Sequence, residues 1–288
     1  MKIAYHTYAF GGRSWLPSWT LEEAIRLTAE IGFDGVELAA WRPHAWPRDL
    51  DPARRLDMKV IACQYHLEYS AIGMVQVNHN IASPIAAERQ DSLAYIQDCI
   101  DLAADLECPT VTVGGGWSVQ PHGRQEAWDW AVEGLGKAAS YAHNRGIDLA
   151  LENINRQRAD VIVSTDDMLK MIGEIGSPSI VPMLDIYHLH LEREDPVQAI
   201  QRLGKDLAYV HFLDARLANR SRQVLEKGEL PLAAILSALG EVGYDGWLCV
   251  EIWGDNPVEI GKQTIQHYQN LLGPVYAGPN SEPGPRLS

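Results

Sequence analysis

The sequence predicts an α/β fold, a single (β/α)8 (TIM) barrel, and two observations lead to this prediction. Short runs rich in β-branched residues alternate along the chain with longer amphipathic segments, and turn residues separate them. Eight such strand–helix units fit within 288 residues, which is an ordinary size for one barrel. An open doubly wound sheet alternates in the same way, but the sequence lacks a glycine-rich dinucleotide turn after its first strand.

The eight predicted strands are short, apolar and bounded by turn residues. They are Lys2–Tyr5, Gly35–Leu38, Lys59–Gln64, Thr110–Val113, Asp148–Glu152, Ile180–Asp185, Leu207–His211 and Trp247–Glu251. The predicted helices have apolar residues at helical spacing. They are Leu21–Glu30, Leu50–Asp57, Glu88–Leu106, Gln125–Asn144, Thr165–Ile175, Pro196–Leu203, Leu230–Val242 and Pro257–Leu272. Together they predict a barrel over residues 1–272.

Residues at the helix ends support these boundaries. Thr20 precedes Glu23 by three residues, which is the spacing of a capping box. Ser164 precedes another helix in the same manner. Gly32 and Gly176 follow predicted helices, where a left-handed residue ends the helix. Residues 273–288 are rich in glycine and proline, and we expect a loose tail or an oligomer arm there.

Composition excludes several classes of function. Lys and Arg number 24 against 38 Asp and Glu, so the formal net charge is −14, which disfavours binding to nucleic acid or to anionic membranes. No apolar run is long enough to span a bilayer, and the N-terminus lacks the apolar core of a signal peptide. The four cysteines form no CxxC pair. We expect a cytoplasmic enzyme with free thiols.

Ionisable residues end most of the predicted strands, where a barrel carries its active site. They are Glu37, His66, Glu152, Asp185, His188, His211 and Glu251. Any one of them alone is more often a solvated or hydrogen-bonded rim residue. The last four strands, however, are neighbours in a closed barrel, and they end in Glu152, Asp185, His211 and Glu251.

Three carboxylates converging at one point would repel each other strongly unless a cation lay between them. Carboxylate oxygens with one imidazole suit Mn²⁺, Co²⁺, Mg²⁺ or Zn²⁺. The strand-end residues therefore predict one divalent metal ion per chain. The long stretch between the predicted third strand and third helix, Glu68–Ala87, is predicted to be a loop that acts as a lid.

Several motifs in this order resemble those of the xylose-isomerase-like barrel superfamily of sugar isomerases and epimerases. They are GFDGVEL at 32–38, WRPHA at 41–45, LENINR at 151–156, MLDIYH at 183–188, VHFLD at 210–214, and GYDG at 243–246 leading to Glu251. The resemblance covers about residues 1–272. Within the superfamily, the chain is similar to ketose 3-epimerases of the tagatose/psicose type and to fructoselysine 3-epimerase.

The resemblance implies a divalent-metal-dependent sugar epimerase or isomerase, with Mn²⁺ as the expected ion. It implies that Glu152, Asp185, His211 and Glu251 bind the metal and that His188 and Arg216 hold substrate oxygens. The two glutamates would also transfer the proton beside the carbonyl, through a cis-enediolate. Epimerase and isomerase chemistry are not distinguished by these residues. By analogy with relatives, we expect a homodimer or homotetramer that binds a sugar or sugar derivative.

Further residues are predicted to contact the substrate. His66, Glu37, His6 and Trp117 follow or end strands on the active side, and tryptophans such as Trp15 would form an apolar wall. Arg158 departs from the epimerase pattern, in which a Glu six residues after the strand-five ligand contacts substrate hydroxyls. An Arg there favours a carboxylate or another anionic group on the substrate, unless its side chain points to solvent.

The sequence alone leaves one alternative function open and disfavours two others. A dehydratase or lyase of the same superfamily, acting on an inosose or dehydroshikimate, begins with the same proton abstraction. A nuclease of the endonuclease IV type is disfavoured because strand four ends in three glycines, because no Asp-x-His follows His211, and because the chain is acidic. A non-catalytic sugar-binding barrel is disfavoured because all four candidate ligands are present.

Overall fold

Eight parallel strands close into a barrel in the computed structural model, which describes residues 1–11, 19–74 and 78–272. With two more strands outside the barrel, the described residues contain ten strands: β1 (Lys2–His6), β2 (Gly35–Ala39), β3 (Glu68–Gly73), β4 (Thr110–Gly114), β5 (Asp148–Glu152), β6 (Ile180–Asp185), β7 (Tyr209–His211), β8 (Asp214–Arg216), β9 (Ser221–Gln223) and β10 (Trp247–Val250). The barrel order is β1-β10-β7-β6-β5-β4-β3-β2, and β8 and β9 form a separate antiparallel hairpin. The predicted (β/α)8 barrel is confirmed.

Helices surround the barrel. They are α1 (Leu21–Ile31), α2 (Pro52–Gln64), α3 (Ala86–Asp105), α4 (Arg124–His143), α5 (Thr165–Ile175), α6 (Ile186–Glu192), α7 (Pro196–Leu203), α8 (Leu232–Glu241) and α9 (Pro257–Leu272). Short 3-10 turns cover Thr7–Phe10, Pro47–Asp49 and Gly204–Asp206. Among the described residues, no helix is both long enough and apolar enough to cross a membrane.

The helix caps predicted at Thr20, Gly32 and Gly176 are found in the structure. The Thr20 hydroxyl accepts a hydrogen bond from the Glu23 backbone N–H, and the Glu23 carboxylate accepts one from the Thr20 N–H, so the capping box is complete. Gly32 and Gly176 end α1 and α5 with φ of +106° and +64°. Residues with a side chain rarely adopt this conformation, which is why glycine stands at both positions.

The predicted third strand, Lys59–Gln64, is wrong. These residues are the second half of α2, and the strand lies later, at Glu68–Gly73. The buried residues of α2 are Met58 and Ala62, four apart on one helical face, while Val60 between them is exposed. The β-branched pair Val60–Ile61 suggested a strand, but burial on one helical face decided the structure. The predicted loop Glu68–Ala87 is correspondingly shorter, and its residues 75–77 lie outside the described part.

One layer of the barrel interior is made of apolar and mostly small side chains. It consists of Ala4, Ala71, Ala150, Met183, Tyr209 and Cys249, one from each of six strands. The larger apolar cluster lies between the strands and the helices and stabilises the outer layer of the fold. Because strand side chains alternate between faces, the residue two positions further along each strand also points inward. The functional site is built from that next layer.

The predicted C-terminal tail, residues 273–288, lies outside the described residues.

Candidate metal centre and substrate cavity

The side chains that point inward at the carboxyl ends of the strands are mostly ionisable, whereas those of the layer beneath them are mostly apolar. Each residue of this upper layer lies two positions after a member of the apolar layer. They are His6, Gly73, Glu152, Asp185, His211 and Glu251. In the barrel β10, β7, β6 and β5 are consecutive neighbours. The four predicted metal ligands therefore lie side by side, with the two glutamates at the ends of the row.

The four side chains form a cluster suited to one ion. Their candidate ligand atoms all lie within 4.8 Å of one another. Nδ1 of His211 lies 3.4 Å from an oxygen of Glu251 and 3.5 Å from an oxygen of Asp185. It lies 3.7 Å from an oxygen of Glu152. This nitrogen is buried and makes no hydrogen bond within the described residues, although buried polar atoms usually have a partner.

The second nitrogen of His211 is held from behind by Glu37. His211 Nε2 lies 3.0 Å from Glu37 Oε2, which also accepts a hydrogen bond from the Tyr209 hydroxyl at 2.9 Å. His6 Nε2 lies 3.4 Å from the other Glu37 oxygen. Burial alone would raise the pKa of Glu37, but the charges of His211 and His6 lower it to about 2. Glu37 was predicted to bind substrate, but its carboxylate at the cavity edge contacts these protein groups.

The charges of the cluster are strongly interdependent in the absence of an ion. Burial opposes a charged imidazole, yet the charge of Glu37 and the neighbouring carboxylates raise the pKa of His211 well above its usual range. Burial raises the pKa of Glu152. Burial acts in the same sense on Glu251, but the charge of Arg222 and the contact with His211 hold the pKa of Glu251 well below its usual range.

Arg222 covers the cluster, a position that was not predicted from the sequence. Its guanidinium Nη2 lies 2.9 Å from Oδ2 of Asp185 and 2.8 Å from Oε2 of Glu251. The guanidinium also lies 4.5 Å from the ring centre of Tyr187 and 5.7 Å from that of Trp253. Its Nε and Nη1 are buried and make no hydrogen bond within the described part of the chain, so donors remain available to a ligand.

The prediction that Arg216 is the substrate-binding arginine after the seventh strand is not supported by its position. Arg216 is exposed, its Nε donates to the Lys227 carbonyl, and it does not line the cavity. The reason is the β8–β9 hairpin, which pairs Ala215 with Arg222 and brings Arg222 on its return strand to the cavity. The sequence pointed to Arg216 because it is the arginine nearest to the end of the seventh strand, and the hairpin was not predicted.

His188 lies in the cavity in its neutral form. Its Nδ1 lies 2.8 Å from the Asn155 side-chain amide nitrogen, and its Nε2 lies 3.7 Å from Asp185. Burial lowers the pKa of His188 to about 4. Because the Asn155 amide donates to Nδ1, the ring proton is on Nε2, which can donate to a ligand. Asn155 was not predicted to have this role, although it lies within the LENINR motif.

Above the cluster, a cavity of about 330 Å³ opens. The predicted residues His6, His188, Trp117 and Arg158 line it. Three further aromatic residues, Tyr8, Trp41 and Trp253, form one wall. The Tyr8 ring stacks on Trp41 with 5.7 Å between ring centres and meets the edge of Trp253 at 5.1 Å. Trp15 lies outside the described residues.

His66 is not in the cavity, which corrects the prediction that it binds substrate. It lies in the turn between α2 and β3, two residues before that strand begins, and it is exposed. Parallel strands begin at one end of the barrel and finish at the other, so His66 lies at the end opposite the cluster. The misplaced third strand caused this error.

Comparison with known proteins agrees with this arrangement. A family model described as a xylose isomerase-like TIM barrel matches residues 25–271. The chain belongs to this family. The predicted resemblance to xylose isomerase-like barrels is confirmed.

Among curated proteins, this xylose isomerase-like barrel is similar to sugar 3-epimerases. It is 26% identical over 262 residues to fructoselysine 3-epimerase from Shigella flexneri, covering 88% of this chain and 93% of the relative. It is 25% identical over 268 residues to D-psicose 3-epimerase from Agrobacterium fabrum, covering 90% of this chain and 89% of the relative.

Solved structures share the fold. A D-psicose 3-epimerase crystallised in the presence of D-fructose superposes with a TM-score of 0.81 at 22% identity, covering 95% of this chain and all of the other. An E. coli 3-keto-D-glucoside 4-epimerase superposes with a TM-score of 0.78 at 20% identity, covering 94% and 99% of the two chains.

Proposed function

We propose that this chain is a divalent-metal-dependent sugar epimerase of the ketose 3-epimerase type. The observation that carries the proposal is the row Glu152, Asp185, His211 and Glu251, with its two glutamates at opposite ends. The two curated relatives named above support it, since both are 3-epimerases, one of fructoselysine and one of D-psicose, and both are similar over most of their length.

The residues present fit a divalent cation. His211 Nδ1 is buried, without a hydrogen-bond partner in the described chain, and directed at three carboxylates. Three carboxylates and one imidazole suit Mn²⁺, Co²⁺, Mg²⁺ or Zn²⁺, and we expect Mn²⁺. When bound, the ion would stabilise negative charge developing on the substrate oxygens. Glu152, Asp185, His211 and Glu251 would hold it.

Glu152 and Glu251 are the groups proposed to move the proton. Their side chains are 12% and 18% exposed, whereas those of His211 and Asp185 are 3% and 0% exposed. The two glutamates can therefore reach a sugar in the cavity, and they stand at opposite ends of the row. Inversion at a carbon beside a carbonyl removes a proton from one face and returns one to the other, which two separated carboxylates can do.

The remaining cavity residues are proposed to position the sugar. Arg222 has buried, unused donors, and the neutral His188 carries a proton on Nε2, so both can donate to substrate oxygens. The wall formed by Tyr8, Trp41 and Trp253 would lie against the less polar face of the sugar and limit the access of water.

Proton NMR in D₂O tests the proposal. Mn²⁺-loaded protein would be incubated with ketoses, fructosamines and keto-inositols, beside an EDTA-treated control. We expect metal-dependent deuterium incorporation at C3 together with a new diastereomer. Exchange followed by loss of water would instead establish a dehydratase, and exchange without a C3 diastereomer but with an aldose product would establish an isomerase.

A non-catalytic sugar-binding barrel gives a different result. The proposed enzyme binds about one ion per chain and loses it after Glu152→Gln, because one of four ligands then carries no charge. Metal analysis after dialysis measures this stoichiometry. A tightly bound ion with no exchange for any sugar in the panel would contradict the proposed reaction.

A further inference from the structure

Arg158 differs from most arginines of this protein because its charge has no partner within the described chain. Its neighbour Arg156 is ion-paired with Glu192, with 2.5 Å between the two atoms. Arg222 is ion-paired with Asp185 and Glu251. The guanidinium of Arg158, in contrast, makes no hydrogen bond or ion pair to residues 1–11, 19–74 or 78–272.

Arg158 nevertheless belongs to the cavity. It lies in the turn after β5 and is exposed, and its side chain forms part of the cavity lining. Its charge acts on groups inside. Burial raises the pKa of Tyr8, and the charges of Arg158 and Arg222 oppose that rise. The neighbouring Arg156 does not line the cavity, so the two adjacent arginines differ in both position and partner.

The charge balance of the cavity indicates what Arg158 could bind. At the floor, the carboxylates are matched by Arg222 and by the ion proposed above. At Arg158, a positive charge faces the cavity without a carboxylate from the described residues, in a chain with formal net charge −14. A guanidinium in this position forms strong, paired hydrogen bonds with a carboxylate or phosphate.

We propose that the substrate carries an anionic group, a carboxylate or a phosphate, away from its reacting carbonyl, and that Arg158 binds this group. The inference rests on the proposed epimerase function and narrows its substrate class. A neutral ketose would fill the floor of the cavity but would leave the Arg158 charge unpaired.

Matched substrates and variants test the inference. Deuterium exchange at C3 would be compared for D-fructose and D-fructose 6-phosphate, and for an N-alkyl fructosamine and the matched fructosamine whose alkyl chain bears a carboxylate. The phosphate and carboxylate pairs distinguish the two anion sources. The protein would be wild type, Arg158→Gln, Arg158→Glu and the control Arg156→Gln, each loaded with Mn²⁺ and assayed at equal ionic strength.

We expect wild type to favour the member of one pair that bears the phosphate or carboxylate over the member that lacks it, by about tenfold or more in kcat/KM and mainly through KM. Arg158→Gln should reduce this ratio by about tenfold and Arg158→Glu by more, while Arg156→Gln leaves the ratio unchanged. Equal ratios in wild type and both Arg158 variants would overturn the inference and leave the epimerase proposal intact.

If none of these substrates undergoes deuterium exchange, the proposed function is contradicted, but the anion site is still to be decided. Calorimetric Kd values of the same pairs for wild type and Arg158→Gln then decide it. Tighter binding of the anionic member, lost in Arg158→Gln, supports the inference, and equal binding by both proteins overturns it.

Discussion

The two halves of the barrel contribute differently to the site. The half formed by β5, β6, β7 and β10 supplies Glu152, Asp185, His211 and Glu251, the candidate metal ligands. The half formed by β1 to β4 supplies no member of this cluster. It contributes Glu37, which contacts Nε2 of His211, and Gly73, whose missing side chain leaves room for Glu37 and His6. One half is thus suited to chemistry and the other to positioning, because a hydrogen-bond partner on the second nitrogen of a histidine ligand fixes the orientation of its ring.

Substitution in the ligand half should have the largest effect. Glu152→Gln and Glu251→Gln should each lower kcat by about 10²–10⁴-fold, because the variant side chain can neither accept the proton nor contribute charge to the ion. Deuterium exchange and metal content measure the two losses. Glu68→Gln is the control, since Glu68 is exposed, paired with Lys2, and at the opposite end of β3. Full activity in Glu152→Gln or Glu251→Gln would remove the proposed proton-transfer role of that residue.

Substitution in the supporting half should have a smaller effect. Glu37→Gln should weaken metal binding by about 10–100-fold, because the charged acceptor behind His211 is lost while all four ligands stay. Calorimetric titration with Mn²⁺ measures the change. Tyr209→Phe removes one hydrogen bond to Glu37 but leaves His211 its partner, and its effect should be smaller. If Glu37→Gln bound metal as wild type does, the supporting half would have no positioning role.

The pH dependence of metal binding sharpens the same comparison. In the metal-free protein the pKa of His211 is raised, so the imidazole is protonated near neutral pH. A histidine must lose this proton before its Nδ1 can bind a metal ion, so binding releases a proton, and affinity falls by up to about tenfold per pH unit below that pKa. Titrations in buffers of different ionisation enthalpy count the released proton. Affinity that rises as pH falls would contradict this assignment.

The smallest effect is expected from Gly73→Ala. A Cβ there would lie 2.6 Å from His6 Nε2 and 2.7 Å from Glu37 Oε1, so both side chains would have to shift. We expect the free energy of unfolding to fall by about 1 kcal/mol. Denaturant unfolding of the metal-free protein measures it. Gly136→Ala in α4 has no atom within 4 Å of the new Cβ and should be neutral or stabilising. Equal effects of the two substitutions would show that the space at Gly73 is unimportant.

Much of the site could be predicted from the sequence, because it depends on the alternation of side chains along each strand and on the order of the strands. The four candidate ligands end four consecutive strands, and closure of the barrel makes those strands neighbours. Residue type and strand order were therefore enough to expect them together. Four of the six motifs that indicated the family contain or lead to these four strand ends.

The errors lie where local sequence and tertiary packing disagree. Residues 59–64 contain β-branched residues but pack as a helix through Met58 and Ala62, and this shift misplaced His66. Arg216 was predicted because it is the arginine nearest to the end of the seventh strand, but a two-stranded hairpin reverses the chain and brings Arg222 to the cavity instead.

By itself, the sequence determined the fold class, the helix caps and the identity of the residues that converge at the barrel end, because these follow from periodicity, local hydrogen bonding and strand order. Only the tertiary structure decided that Glu37 contacts His211, that Arg222 covers the cluster, and that Arg158 faces the cavity unpaired. These depend on distances between groups far apart in the chain. Local patterns carry no information about such distances, since burial, hairpin geometry and charge pairing are set by the whole fold.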